Sequence, residues 1–385
     1  MSAIQATSKS PSTPVTKIVI PDLVSHCTFK KRVSRHRKQV TTETKRWLFK
    51  YGGLDEKKRA AIHGLKCGLL TAMCYPDAGC PQLRVCNDFL TYLFHLDNLS
   101  DDMDNRGTRS IANEVLNSLY HPYTYRSDAR VGKMTRDYFK RMIVIASPGA
   151  QQRFIETFDF FFQSVTQQAT DRAAGVIPDL ESYIALRRDT SGCKPCWALI
   201  EYANNLDIPD EVMEHPIIRS LGEAANDLVT WSNDIFSYNV EQSKGDTHNM
   251  IPVVMNEEGL DLQSAVDFVG TMCKQSIDRF VNDWANLPSW GPEIDRDVHT
   301  YVTGLADWIV GQGGKSKPPA SSTSFLAVLE RKRARNIVCL TRMINDPETL
   351  NIITHRRCIY VYVLSGVPTR PYEHMLLLIL TSTSS

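Results

Sequence analysis

The sequence predicts an all-α protein, and three observations support that prediction. From Pro21 to about Gly311, apolar residues recur at three- and four-residue steps, broken by Pro, Gly and Asp/Asn punctuation. No series of alternating strands at regular spacing interrupts the pattern. No internal repeat is present either, so residues 21–312 read as one domain of about a dozen helices.

Taken in order, residues 1–20 are rich in Ser, Thr and Lys and lack the apolar segment of a secretory signal. They are expected to form a disordered tail. Lys30, Lys31, Arg32, Arg35, Arg37 and Lys38 follow as a basic cluster. No aromatic residues interleave with these charges, which argues for a solvated face over a nucleic-acid surface. Arg59 to Met73 reads as a helix stopped before Pro76. Gln151 to Ala169 reads as another, with Phe154, Phe158, Phe160, Phe161 and Phe162 inside it, and Leu260 to Leu287 as a third, ended by Pro288. Beyond Gln312 the composition changes to Gly, Ser, Lys and Pro, as in a linker. Phe325 to Asn336 reads as a short basic helix and Cys358 to Val367 as strand-like, so 313–385 is expected to be an atypical, poorly ordered tail.

The 385 residues are 42% hydrophobic and 23% charged with a formal net charge of +1, an ordinary balance for a soluble globular protein. That balance gives no overall attraction to nucleic acid or an anionic membrane. Ten cysteines are scattered, and Cys193-Lys194-Pro195-Cys196 is a lone C-x-x-C without a second pair or a nearby His. Free thiols in a reducing, cytoplasmic compartment are the expectation. No segment reaches the roughly 18 apolar residues of a membrane span, and Met375 to Leu380 is far too short.

The stretch around which the chain is organised is Asn233-Asp234-Ile235-Phe236-Ser237-Tyr238-Asn239-Val240-Glu241. Asn233, Ser237 and Glu241 stand four apart and stack on one helix face. At the same step upstream lie Val229, Ala225 and Leu221, so an apolar stripe runs into an amide, a hydroxyl and a carboxylate. Buried polar groups without partners are costly. Three hard oxygens, one charged, suit a magnesium ion that shares its remaining positions with water and a phosphate. Taken alone, the pattern fits a wetted helix face about equally well.

A second acidic stretch tips the balance. The apolar stripe Cys86, Leu90, Leu93 continues at Asp97 and Asp101, within Asp97-Asn98-Leu99-Ser100-Asp101-Asp102-Met103-Asp104. A helix end capped by Ser100 would account for some of these acids. Four neighbouring carboxylates nevertheless repel unless a cation lies between them.

These two stretches resemble the N-D-x-x-S-x-x-x-E and D-D/E/N-x-x-D metal motifs of class I terpene cyclases, in particular basidiomycete sesquiterpene synthases. The resemblance runs from Pro21 to Gln312 and includes Pro21-Asp22-Leu23, Glu43-Thr44-Lys45-Arg46-Trp47 and the Cys74-Tyr75-Pro76 turn. It implies the closed helical barrel of that family and three Mg²⁺ ions held by Asp97, Asp101, Asn233, Ser237 and Glu241. It further implies a prenyl diphosphate substrate, most readily farnesyl diphosphate, cyclised to a sesquiterpene. Tyr183 to Gly192 is similar to the family's diphosphate-sensor segment. Arg187 would be the sensor, with Arg188 as second choice, Thr190 the linker and Ser191 or Gly192 the effector. Lys244 would add a point charge, and Phe89, Phe94, Trp308 and Phe158 are candidate aromatic walls for carbocations.

The implied partner is the diphosphate alone, on a monomer or homodimer, with neither nucleic acid nor a membrane span. A chain-elongating prenyltransferase would carry a second aspartate-rich motif, which is missing, and a helix-binding scaffold would need neither metal motif. One departure stands out. Family members close with an Arg-Tyr pair about eighty residues after the Asn/Ser/Glu motif, whereas here the resemblance stops after Leu305 to Gly311 and no such pair follows. A misread exon boundary or a frame change after Gln312 would account for that. The alternative it raises is a catalytically impaired protein of the same fold.

Overall fold

A computed structural model describes residues 18–56, 59, 66–100, 105–243 and 245–309; at 97, 98, 100 and 105 only the backbone is described. The expectations for 1–17, for Lys244 and for the tail after Ile309 therefore lie outside the described residues.

Thirteen helices and no strand occur among the described residues. They are α1 (Arg37–Tyr51), α2 (Cys67–Cys74), α3 (Cys80–Ser100), α4 (Asn105–Tyr120), α5 (Arg130–Met142), α6 (Pro148–Ala174) and α7 (Leu180–Thr190). After these come α8 (Cys193–Asn204), α9 (Asp210–Met213), α10 (Pro216–Gln242), α11 (Met250–Glu257), α12 (Leu262–Ala285) and α13 (Pro292–Ile309).

The ends follow local chemistry. Ser147 caps α6 by accepting from Ala150 N, with Pro148 in the first turn, and Gly175 ends it at φ +65°. Asp179 and Asp261 cap α7 and α12 by accepting from Ser182 N and Ser264 N. Helices α6 and α12 match the expected spans at 151–169 and 260–287 closely.

The expected continuous helix from Arg59 to Met73 is corrected. Lys66 has φ +49°, a left-handed conformation that no α-helix passes through, and α2 starts only after it. The reversal lets Gly68 lie against Thr41 of α1, where an added Cβ would come 1.9 Å from Thr41 Oγ1.

The core is aromatic on one side. Phe89 of α3 meets Phe154 and Phe158 of α6 at centroid distances of 5.0 and 5.3 Å and Tyr138 of α5 at 5.8 Å. All four rings are fully buried, and each Phe contributes on the order of 1.5–3 kcal/mol by leaving water. On the other side, α10 packs along α12 and also touches α7, α11 and α13. Non-helical residues 18–36 strap these helices together. Val19 exchanges two hydrogen bonds with Gln263, Phe29 sits edge-on to Phe280, and Arg32 pairs with Asp307 of α13 and Asp77.

Cys193 and Cys196 lie in the first turn of α8, buried and free, with burial raising both thiols above their ordinary pKa. They are core residues. No described helix is long and apolar enough to cross a membrane.

Candidate active site

The site is built on α10. Asn233, Ser237 and Glu241 share one face of this helix, Ser237 fully buried and the other two half-buried. A seven-residue step on the same helix aligns Asp227, Asp234 and Glu241, since seven residues return to nearly the same side. These three acids are neutralised to decreasing degrees. Asp227 pairs with Arg188 at 2.8 Å through both oxygens and with Arg279 at 2.6 Å. Asp234 holds one arginine, Arg187 at 2.9 and 3.2 Å, and accepts from Tyr183 Oη at 2.6 Å and Met250 N at 3.2 Å. Glu241 has no ion pair among the described residues and accepts a hydrogen bond from Asn249 Nδ2 at 2.9 Å.

The electrostatics follow. Burial, then the charge of Asp234, pushes the Glu241 carboxyl up to about 7, only partly offset by Asn249, Arg187 and Ser237. Arg187 goes the other way: burial disfavours its charge, but the adjacent Asp234 more than compensates and holds it firmly cationic. His248, buried beside Arg187 and Arg172, is driven down to about 3 and stays a neutral imidazole.

Arg187 also donates to Asn233 Oδ1 at 3.2 Å, so the cation touches the oxygen face itself. Among the described residues its Nη1 has no partner. Three residues beyond it the helix breaks. Thr190 Oγ1 lies 3.1 Å from His248 Nε2. Ser191 Oγ donates to Arg188 O at 3.1 Å and accepts from Cys193 N at 3.0 Å. Gly192 then turns at φ +67°, and a Cβ there would come 2.9 Å from Leu93 Cδ2. Only glycine satisfies both the left-handed backbone and that approach. Leu93 lies one turn before Asp97 on α3, so the helix bearing the acidic stretch packs against the break.

Of the expected site residues, Arg187, Thr190, Ser191, Asn233, Ser237 and Glu241 gather here. Arg188 does not: it is committed to Asp227 and Glu223. The side chain of Asp97, and Asp101 and Lys244 altogether, lie outside the described residues. Phe89 and Phe158 are fully buried in the aromatic cluster, and Phe94 is half-buried on α3. Trp308 stands edge-on to Tyr75 and Trp197 at 5.6 and 5.2 Å. Sequence reasoning missed Tyr183, Asp234 and Asn249 as members of this network. The seven-residue acid spacing was the available signal for Asp234; nothing in the sequence marks a partner for Asn249.

Residues 88–279 match the family described as terpene synthase family 2, C-terminal metal binding. The chain is 75% identical over 334 residues to sesquiterpene synthase Agr1 of Cyclocybe aegerita, covering 84% of this chain and 96% of that protein. The chain belongs to the fungal sesquiterpene synthase family. A second member, sesquiterpene synthase 1 of Postia placenta, is 67% identical over 336 residues, covering 84% of the chain and 99% of that protein. The synthase also shares its fold with a solved structure of linalool/nerolidol synthase from Streptomyces clavuligerus. The TM-score there is 0.67 at 20% identity, covering 73% of this chain and 96% of that one. The synthase is thus a class I terpene cyclase that acts on a prenyl diphosphate, with the family's segment for a divalent metal.

Among the described residues, no three His, Cys, Asp or Glu side chains form a metal-holding group. The donors of the α10 face are instead an amide oxygen, a hydroxyl and one carboxylate. They fit a hard divalent cation, because all are oxygens and the carboxylate is short of positive charge in its folded surroundings.

Proposed function

We propose that the synthase ionises farnesyl diphosphate with the help of Mg²⁺ and cyclises the resulting cation to a sesquiterpene. The observation that carries this reading is the acid series of α10, in which only Glu241, at the oxygen face, has no arginine partner among the described residues. Mg²⁺ would be held by Asn233, Ser237 and Glu241, together with Asp97 and Asp101, and when bound it supplies positive charge to the departing diphosphate. Three ions would match a diphosphate between two such faces.

The chain's own groups have distinct tasks. Arg187, fixed by Asp234, which Tyr183 holds in turn, presents a cation whose Nη1, without a partner among the described residues, would donate to a phosphate oxygen. Thr190 and Ser191, at the helix break, would add backbone and hydroxyl contacts to the diphosphate. Lys244 would add a point charge. Rings such as Phe89, Phe94 and Trp308 would stabilise cationic carbon without trapping it, each desolvated contact being worth about 2 kcal/mol or more. Relatives bearing the name sesquiterpene synthase support a fifteen-carbon substrate.

Incubation with geranyl, farnesyl and geranylgeranyl diphosphates, followed by gas chromatography, tests the reading. The expected outcome is fifteen-carbon cyclic hydrocarbon or alcohol from farnesyl diphosphate only with Mg²⁺ present. Metal-independent turnover, or preferred turnover of another chain length, would refute it.

A further inference from the structure

Asn249 caps α11, its Oδ1 accepting from Ile251 N at 2.8 Å. That task needs only an acceptor, which Asp or Ser would supply as well. The other half of the amide faces α10. Its Nδ2 lies 2.9 Å from Asp234 O, 2.9 Å from Glu241 Oε2 and 3.3 Å from Ser237 Oγ. An amide has two N–H groups, which serve the two shorter contacts, and the Ser237 hydroxyl lies beside them as the longer, secondary contact. The side chain is completely buried, and the contacted residues fall at steps of three and four along one face of α10.

The flanking residues dock the same way. Met250 N donates to the Asp234 carboxylate at 3.2 Å, Asp246 N donates to Glu241 O at 3.0 Å, and His248 meets Thr190 at the helix break. The connection between α10 and α11 therefore clamps the oxygen face from behind and reaches the sensor segment with the preceding residue.

We infer that Asn249 is a positioning residue for the metal face: one amide N–H, anchored by the other on Asp234 O, holds the Glu241 carboxylate in the orientation in which a divalent cation is received. The inference rests on the assignment of Asn233, Ser237 and Glu241 as metal-holding residues. It separates donor from cap. A residue that only ends the loop and starts α11 needs Oδ1; a residue that orients Glu241 needs Nδ2. Partners behind metal-binding side chains are typically worth about 10- to 100-fold in metal affinity.

The test is titration calorimetry of Mg²⁺ into the full chain with inorganic diphosphate present, alongside thermal unfolding without metal. Asn249→Asp keeps the shape and the cap acceptor but cannot donate to Glu241. Asn249→Ser keeps a cap acceptor, carries no charge and is too short to reach the carboxylate. Both are expected to unfold within a few degrees of the wild type yet to bind Mg²⁺ at least about tenfold more weakly. In turnover, both should raise the Mg²⁺ concentration for half-maximal activity more than they lower the rate at saturating metal. Wild-type Mg²⁺ affinity in either folded variant overturns the inference, as does a loss of affinity no larger than the loss of fold. Glu241→Ala, measured in parallel, distinguishes the two levels. If it too binds Mg²⁺ like the wild type, the metal-face assignment fails; if it loses binding while both Asn249 variants keep theirs, only the role of Asn249 fails.

Discussion

Asp234→Ala is expected to cost about 3–5 kcal/mol of folding stability and to abolish turnover with it. Asp234 is 1% exposed and the sole ion-pair partner of Arg187 among the described residues, while it also accepts from Tyr183 and Met250 N. Removing it leaves a guanidinium charged and buried with no counter-charge, and two donors unsatisfied. Breaking a buried pair from one side is far more costly than never forming it. Tyr183→Phe removes one hydrogen bond to the same carboxylate and should cost less, about 1.5–3 kcal/mol. Urea unfolding without metal checks both. The effect on turnover has a separate origin, because Arg187 released from Asp234 no longer holds its position at Asn233.

Glu241→Gln is expected to act with opposite signs on stability and activity. In the folded metal-free chain Glu241 keeps its proton up to about pH 7, whereas the unfolded chain releases it near the ordinary value of 4.5. Between those values the unfolded state binds fewer protons, so stability falls as pH rises, and above pH 7 the loss is complete at about 3 kcal/mol. Glutamine never ionises. The metal-free variant should therefore be more stable than the wild type at pH 8, by up to that order, and equally stable near pH 4. Activity should fall by at least about a hundredfold, since the face loses its one carboxylate. Added Mg²⁺ should raise the unfolding temperature of the wild type and leave the variant almost unmoved. Thermal unfolding at pH 4 and pH 8, with and without Mg²⁺, measures all of this. A variant less stable than the wild type at pH 8 without metal would contradict the account.

How much of this was legible beforehand follows from the range of the interactions. Helices α6, α10 and α12 and the oxygen face on α10 were readable because helical periodicity is local and strong. The start of α2 was not, because Lys66 takes a left-handed backbone just before Gly68 packs against Thr41 on another helix, a contact distant in sequence. The different partners of Arg187 and Arg188 were equally hidden, although the family resemblance already ranked Arg187 first as a phosphate contact. The two are adjacent in sequence, and only the packing of α7 on α10 turns one toward Asp234 and the other toward Asp227. Asn249 was invisible for a different reason. An Asn before an apolar run reads as a helix cap, which it is, and its second half gains a role only once α11 folds back on α10.

The most direct measurement is a crystal structure of the synthase with Mn²⁺ and inorganic diphosphate, with the metal located by its anomalous scattering. The account predicts a peak about 2.1 Å from Asn233 Oδ1, Ser237 Oγ and the Glu241 carboxylate, with diphosphate oxygens on its open side and Arg187 within hydrogen-bond reach of them. A bound diphosphate with metal only elsewhere, leaving Glu241 on Asn249 and no ion on the α10 face, would contradict it.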